Sequence, residues 1–197
     1  MNKTVLTKGR FETRQLTIVG LLSAISVTLG LTGYGFIPFP IAHATIMHIP
    51  VIIGAIIEGP IVGILVGLMF GIFSMIQNMM TPSVLSFAFM NPLVAILPRI
   101  LIGITSYYTY VLLKKCNEPL RIGITAVVGT LTNTVGVLSM IYFLYAQQYA
   151  RTVKISVSGA AKAIFGVAGL NGSIESAVAV VIVVPVIIAI KKIRNRS

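Results

Sequence analysis

Two long segments without any charged residue constrain the fold of this chain more than any other feature. Residues 15–57 and 59–98 contain no Asp, Glu, Lys or Arg over 43 and 40 positions. A helix that crosses the hydrocarbon core of a membrane needs about 20 apolar residues. Each segment is therefore too long for one span and is interpreted as two helices joined by a turn. Pro38 and Pro40 mark the first turn, and the polar patch at Asn78 marks the second.

The composition agrees with a membrane protein and excludes several other classes. Charged residues make up 10% of the chain and its net charge is +11, whereas about a quarter of a soluble domain is charged. All four acids are glutamates, and the single cysteine, Cys116, rules out an intrachain disulfide or a multi-cysteine metal site. His43 and His48 are poorly spaced for a zinc pair on a helix. We therefore expect no metal and no cofactor.

The hydropathy pattern predicts an all-α, polytopic membrane protein with six transmembrane helices and both termini cytoplasmic. Six helices of about 20 residues use most of the chain, so residues 1–197 are predicted to form a single membrane-embedded domain for substrate binding. The predicted spans lie near 15–36, 44–57, 60–77, 92–113, 121–145 and 169–190.

Basic residues give the orientation, because Lys and Arg accumulate in cytoplasmic loops. With the N-terminus inside, eleven basic residues face the cytoplasm and three lie outside. The cytoplasmic set is Lys3, Lys8, Arg10, Arg14, Lys114, Lys115, Arg121, Lys191, Lys192, Arg194 and Arg196. The outer set is Arg151, Lys154 and Lys162. The positive charge thus reflects topology and attraction to anionic lipid in the bilayer, and we expect no nucleic-acid partner.

Enzyme and ATPase motifs are absent from the sequence. No glycine-rich phosphate loop, His-Glu-x-x-His helix or Gly-x-Ser-x-Gly elbow occurs. A membrane phosphotransferase would normally use clustered aspartates to hold Mg²⁺, and this chain has no aspartate. We therefore predict that the chain is not an enzyme and has no catalytic residues.

Small residues recur at helical spacing in two predicted spans. In a bilayer such residues let helix backbones approach closely. The third span carries Gly59, Gly63, Gly67 and Gly71, which favours packing inside the bundle. The first span carries Gly20, Ala24 and Thr28. This second stripe is interpreted either as internal packing or as a docking face for another membrane subunit.

Polar residues within the spans are the candidate functional residues, because ionisable side chains are costly in a bilayer. Arg99 and Glu175 are predicted to lie at similar depth toward the outer side. Either they pair with each other, or both face a cavity and meet a ligand there. Asn171 lies on the same helix face as Glu175. The predicted substrate-binding residues are Asn91, Arg99, Asn133, Asn171 and Glu175.

Three outer loops add polar candidates to this set. They are predicted to run from Tyr34 to His43, from Gln77 to Asn91 and from Gln147 to Lys162. These loops add candidates to the polar residues of the fourth, fifth and sixth spans, which are predicted to line a pocket.

The order of these motifs resembles that of the substrate-binding S components of energy-coupling factor (ECF) vitamin transporters. The resemblance covers nearly the whole chain and includes the glycine-spaced third span. The segments that carry it are His48 to Pro60, Asn91-Pro92 to Pro98-Arg99, Gly129 to Thr134, and Asn171 to Glu175.

This resemblance implies a six-helix subunit that binds one small water-soluble vitamin near the outer face. It also implies a membrane scaffold subunit and two cytoplasmic ATPase subunits as partners. The scaffold-docking face of such proteins is an Ala-x-x-x-Ala surface on the first helix. The matching residues here are Gly20, Ala24 and Thr28, a variant of that pattern.

The ligand expected from the resemblance is pantothenate, because the Asn-Pro to Pro-Arg stretch and the Asn-Thr motif look most like the pantothenate and riboflavin types. Arg99 would suit the carboxylate of pantothenate. A flavin would require more aromatic stacking, and the chain has no Trp. The alternatives are riboflavin or another vitamin or precursor, a stand-alone transporter or channel, and a small membrane enzyme.

Overall fold

The computed structural model describes residues 13–37, 44–82 and 85–195. Within these ranges the protein consists of eight helices and one pair of two-residue strands. The helices are α1 (Thr13–Thr32), α2 (Ile49–Glu58), α3 (Pro60–Met80), α4 (Ser86–Phe89), α5 (Pro92–Ala95), α6 (Leu97–Leu112), α7 (Glu118–Val153) and α8 (Val157–Arg194). The antiparallel strands are β1 (Phe36–Ile37) and β2 (Ala44–Thr45). The residues discussed above that lie outside the described ranges are Lys3, Lys8, Arg10, Pro38, Pro40, His43 and Arg196.

The described ranges contain five segments that are long and apolar enough to cross a membrane. They are α1, α3, the joined α5–α6 segment, α7 and α8. The predicted second span corresponds to β2 followed by α2, which has 10 residues. At 1.5 Å per residue α2 is about 15 Å long, half the thickness of the hydrocarbon core. The five long apolar segments confirm the predicted helical, multi-span architecture.

The two last helices are longer than predicted. The predicted fifth and sixth spans covered 121–145 and 169–190, and the segment between them was predicted as a loop. In the structure α7 and α8 have 36 and 38 residues and are separated by the turn at 154–156. Hydropathy falls near Gln147, but no glycine or proline follows until Gly159. Gln, Ala and Arg favour helix, so the helices continue beyond the apolar region.

Helix α2 lies at the centre of the bundle. Val51, Ile52 and Ala55 have no exposed surface, and every residue from Ile49 to Ile56 is buried. A short helix that is apolar on all sides is stable when other helices surround it. The main hydrophobic core forms around it, with side chains from α1, α3, α6, α7 and α8.

Helices α3 and α6 cross at very short distance, which confirms most of the predicted glycine packing face. A Cβ at Gly103 would lie 2.6 Å from the backbone nitrogen of Ile64, and one at Gly67 would lie 2.8 Å from the carbonyl carbon of Arg99. Gly59 differs from the prediction, because it separates α2 from α3 with φ = 99°.

Ion pairs bring the first and the last helix of the described chain together at one end of the bundle. Glu58, at the end of α2, forms ion pairs with Arg14 at the start of α1 and with Arg194 at the end of α8. Glu118, at the start of α7, forms ion pairs with Arg121 and Lys191. Four of the basic residues predicted to share the cytoplasmic side therefore lie at one end of the described bundle, namely Arg14, Arg121, Lys191 and Arg194.

Candidate functional site

A cavity of about 1100 Å³ lies at the other end of the bundle, away from these ion pairs. The β1–β2 hairpin, α3, α6, α7 and α8 all contribute to its wall. Four of the five predicted binding residues line this cavity, namely Arg99, Asn133, Asn171 and Glu175. The polar residues of three separate helices therefore meet in one place, as the sequence predicted.

Arg99 is held in the cavity wall by its backbone neighbours and by two aromatic rings. Arg99 is 5% exposed, and its Nη1 donates a hydrogen bond to the carbonyl oxygen of Val94 at 2.8 Å. The guanidinium carbon lies 5.4 Å from the centre of the Phe70 ring and 5.3 Å from that of Phe89, within the range of cation–π attraction. Nε of Arg99 has no hydrogen-bond partner among the described residues. Arg99 is thus a fixed cation with an unused donor.

Asn133 adds an unused acceptor to the same cavity. It lies on α7 and is 4% exposed, and its Oδ1 has no hydrogen-bond partner in the described part of the chain. A buried amide oxygen without a partner is energetically unfavourable. Asn171, on α8, is half-buried and lines the same wall. Asn133 and Asn171 thus place amide groups, which both donate and accept hydrogen bonds, in the cavity wall.

Both carboxylate oxygens of Glu175 are engaged by the protein. Glu175 is 3% exposed; its Oε1 accepts a hydrogen bond from the backbone N–H of Thr45 at 2.7 Å, and its Oε2 accepts one from the Thr134 hydroxyl at 2.5 Å. Among the ion pairs formed by the described residues, none joins Arg99 to Glu175. The two residues therefore line one cavity without forming an ion pair, and that they meet a ligand there stays a prediction.

Asn91 occupies a different position from the other predicted residues. It does not appear among the described residues that line the cavity. Its Oδ1 accepts a hydrogen bond from the backbone N–H of Leu93, which caps α5, and its Nδ2 donates to the Tyr145 hydroxyl at 3.0 Å. Both polar atoms of the Asn91 side chain therefore make hydrogen bonds within the protein.

Other cavity residues lie outside the predicted binding set; some were named from the sequence for a different reason, and others were not singled out at all. Phe70 and Phe89 carry the rings beside Arg99, but an aromatic residue in an apolar segment gives no distinguishing signal. Lys162 was assigned to a loop, whereas it lies on α8 and lines the cavity mouth as an exposed side chain. Asn78, at the polar patch after the third span, also lines the cavity.

The stripe on α1 is exposed. Gly20, Ala24 and Thr28 all lie on the outer surface of the bundle, and a Cβ at Gly20 would meet no atom within 4 Å. The neighbouring Leu21 and Leu31 are exposed as well. Of the two interpretations, internal packing is not supported for this stripe.

Comparison with known proteins identifies the family. The sequence profile described as "ECF transporter, substrate-specific component" matches residues 14–187. The chain is also 33% identical over 174 residues to the pantothenic acid transporter PanT of Lactococcus lactis subsp. cremoris (strain MG1363). That alignment covers 81% of this chain and 83% of the relative. The chain therefore belongs to the family of substrate-specific components of ECF transporters.

Proposed function

We propose that this chain binds pantothenate in the cavity around Arg99 and presents it for ATP-driven import. The observation that carries the proposal is a buried, oriented arginine with an unused donor in a cavity of a membrane-embedded bundle. Arginine matches the planar, two-oxygen geometry of a carboxylate. The similarity to a protein named for pantothenic acid transport supports the choice of ligand.

The proposed roles follow the chemistry of pantothenate, which has a carboxylate at one end, a central amide and two hydroxyls. Arg99 binds the carboxylate. Asn133 and Asn171 exchange hydrogen bonds with the amide and the hydroxyls, and Glu175 completes the wall beside Thr45. A direct contact between Asn91 and the ligand stays a prediction that the cavity lining does not support.

The membrane topology that we propose has six crossings and both termini in the cytoplasm, with the chain forming one domain. The chain is a multi-pass membrane protein, as its family and its apolar helices indicate. Arg14 and Arg194 contact the same glutamate, and this proximity of the two ends of the described chain supports an even number of crossings. Five long helices give an odd number, and α2 with the preceding hairpin supplies the sixth.

The proposed partners are a membrane scaffold subunit and two cytoplasmic ATPase subunits. The family is a transporter component rather than an enzyme class, and no nucleotide-binding motif occurs in the sequence. The energy for transport must therefore come from other subunits. The exposed stripe of Gly20, Ala24 and Thr28 is the proposed surface for the scaffold, because small residues permit close helix contact.

Identification of the bound ligand tests the proposal. The protein is purified in mild detergent, and small molecules released on denaturation are identified by mass spectrometry. Equilibrium binding of radiolabelled pantothenate is measured in parallel, with riboflavin as the comparison. We expect pantothenate to be retained and riboflavin not to compete. Retention of a flavin would contradict the proposal. So would binding of radiolabelled pantothenate that unlabelled pantothenate does not displace.

A further inference from the structure

Helix α7 is interrupted at one residue, near the cavity. Tyr145 has φ = −135° and ψ = 18°, which are not helical values, inside the segment Glu118–Val153. Sharp bends in helices have local causes such as proline, glycine or an inserted group. Neither proline nor glycine occurs from Val137 to Ser158. Proline and glycine therefore do not account for this bend, and the contacts of Tyr145 show what holds it.

Two residues outside α7 hold the Tyr145 side chain. Its hydroxyl accepts a hydrogen bond from Nδ2 of Asn91 at 3.0 Å, across 54 positions in sequence. Its ring packs edge-to-face against Phe87, with centroids 5.5 Å apart and an angle of 71° between the planes. Asn91 is itself fixed, because its Oδ1 caps α5 through the Leu93 N–H at 3.0 Å. Two residues of the α4–α5 segment therefore contact the side chain at the bend, Phe87 through its ring and Asn91 through its amide.

The part of α7 beyond this bend forms the outer wall of the cavity. Tyr149 and Val153 line the cavity, and Ala150 is buried. The chain then turns at Lys154, with φ = 57°, and enters α8, where Lys162 lines the mouth. The direction of α7 after Tyr145 therefore determines the position of Tyr149 and Val153 relative to the cavity.

Helix α5 connects the Asn91–Tyr145 hydrogen bond to Arg99, the predicted ligand contact. Its N-cap, Asn91, holds Tyr145, and its residue Val94 accepts the hydrogen bond from Nη1 of Arg99 at 2.8 Å. The same four-residue helix thus orients the arginine on one side and the outer end of α7 on the other.

We propose that Asn91 and Tyr145 are positioning residues that hold the outer end of α7 over the cavity and so slow release of the bound ligand. The inference rests on the proposed function of the cavity. It gives Asn91 a role through Tyr145 instead of a direct contact with the ligand.

The test removes the contact from either side. Tyr145→Phe deletes the hydroxyl and keeps the ring against Phe87. Asn91→Ser keeps a residue that caps helices well but is too short to reach Tyr145. The double variant combines both changes, and Tyr108→Phe, at an exposed tyrosine on α6, is the matched control.

Release of radiolabelled pantothenate is measured with the full-length protein in lipid nanodiscs. We expect each single variant to release it about two- to tenfold faster, the range given by loss of one hydrogen bond, and the double variant to release it no faster than the singles. Unchanged release in both singles, or effects that multiply in the double variant, would overturn the inference. Tyr108→Phe should behave as wild type.

Amide hydrogen exchange of residues 146–153 in the ligand-free protein gives a second readout that separates the two proposals. Both single variants should exchange faster there than wild type, while residues 118–140 should not change. Equal protection of 146–153 in wild type and Tyr145→Phe would overturn the inference even if pantothenate binds. Failure of wild type to bind pantothenate would instead overturn the proposed function. The exchange result would still test whether the Asn91–Tyr145 hydrogen bond holds residues 146–153 in place.

Discussion

Glu175 on α8 accepts a hydrogen bond from the backbone N–H of Thr45 at 2.7 Å, which ties the last helix to the strand that precedes α2. The second oxygen of the same carboxylate accepts the Thr134 hydroxyl of α7. One buried side chain therefore joins three elements that are far apart in sequence.

The first prediction follows from this arrangement of Glu175. Glu175→Ala should lower the thermal stability of the ligand-free protein and expose the Thr45 amide to exchange, because a hydrogen bond to a charged group contributes about 1.5–3 kcal/mol. Glu175→Gln should retain most of the stability, since an amide oxygen accepts from Thr45 and the Thr134 hydroxyl reorients to the amide nitrogen. Melting temperature in detergent and hydrogen exchange check both. Equal destabilisation by Gln and Ala would show that the charge, rather than these hydrogen bonds, is required.

The second prediction concerns the crossing of α3 and α6. Gly67→Ala should destabilise the protein by about 1–3 kcal/mol, because the added methyl overlaps the backbone of Arg99. It should also weaken ligand binding, because the turn that carries Arg99 must shift. Gly20→Ala is the matched control, since its methyl enters open space on α1. If Gly67→Ala melts and binds like Gly20→Ala, then the close α3–α6 approach is not required for the site.

The third prediction concerns the basic residues around the α7–α8 turn, of which Lys162 lines the cavity. The three basic residues predicted to lie outside, Arg151, Lys154 and Lys162, fall in one stretch of 12 residues that includes the α7–α8 turn. Outer basic residues run against the topological bias, and a positive rim speeds capture of an anion. Lys162→Met should therefore reduce the association rate constant of pantothenate several-fold in low salt and reduce its dependence on ionic strength.

Stopped-flow binding at several salt concentrations measures this effect. Lys192→Met removes a similar charge at the opposite end of the molecule and should leave the association rate unchanged. A reduced affinity of Lys162→Met that arises from faster dissociation alone would assign Lys162 to ligand contact instead of capture.

The fourth prediction concerns docking on α1. Ala24→Leu should impair assembly with the scaffold and ATPase subunits while pantothenate binding by the isolated chain stays unchanged, because the bulky side chain prevents close helix contact. Co-purification of the complex after co-expression measures assembly. Ala177→Leu, at another exposed alanine on α8, controls for added bulk in the membrane. Normal assembly of the Ala24 variant would move the docking surface away from this stripe.

Much of the bundle was predictable because a membrane penalises charge. Two charge-free segments gave the first helices, and Arg99 and Glu175 stood out as ionisable residues inside apolar segments. The ends of α7 and α8 were not predictable from hydropathy, because a helix is free to continue into water where its residues favour it. The glycine face was predictable because only backbone-to-backbone contact explains a glycine at every fourth position.

The contacts that complete the cavity were less accessible from the sequence. The rings of Phe70 and Phe89 reach Arg99 through tertiary packing, which no local pattern records. Asn91 was predicted as a ligand contact because it is one of the polar residues of the fourth to sixth predicted spans. The Asn91-Pro92 pair is a strong helix start, and in the structure the amide caps α5 and holds Tyr145.

The central claim, that Arg99 binds the carboxylate of the ligand, is tested most directly by comparing pantothenate with pantothenol, its alcohol analogue. Equilibrium binding of both is measured for wild type and for Arg99→Gln. We expect wild type to prefer the acid by about tenfold or more, as for a charged hydrogen-bonded pair. Arg99→Gln should bind both weakly and without preference. Equal binding of acid and alcohol by wild type, or a preference that survives in Arg99→Gln, would contradict the claim.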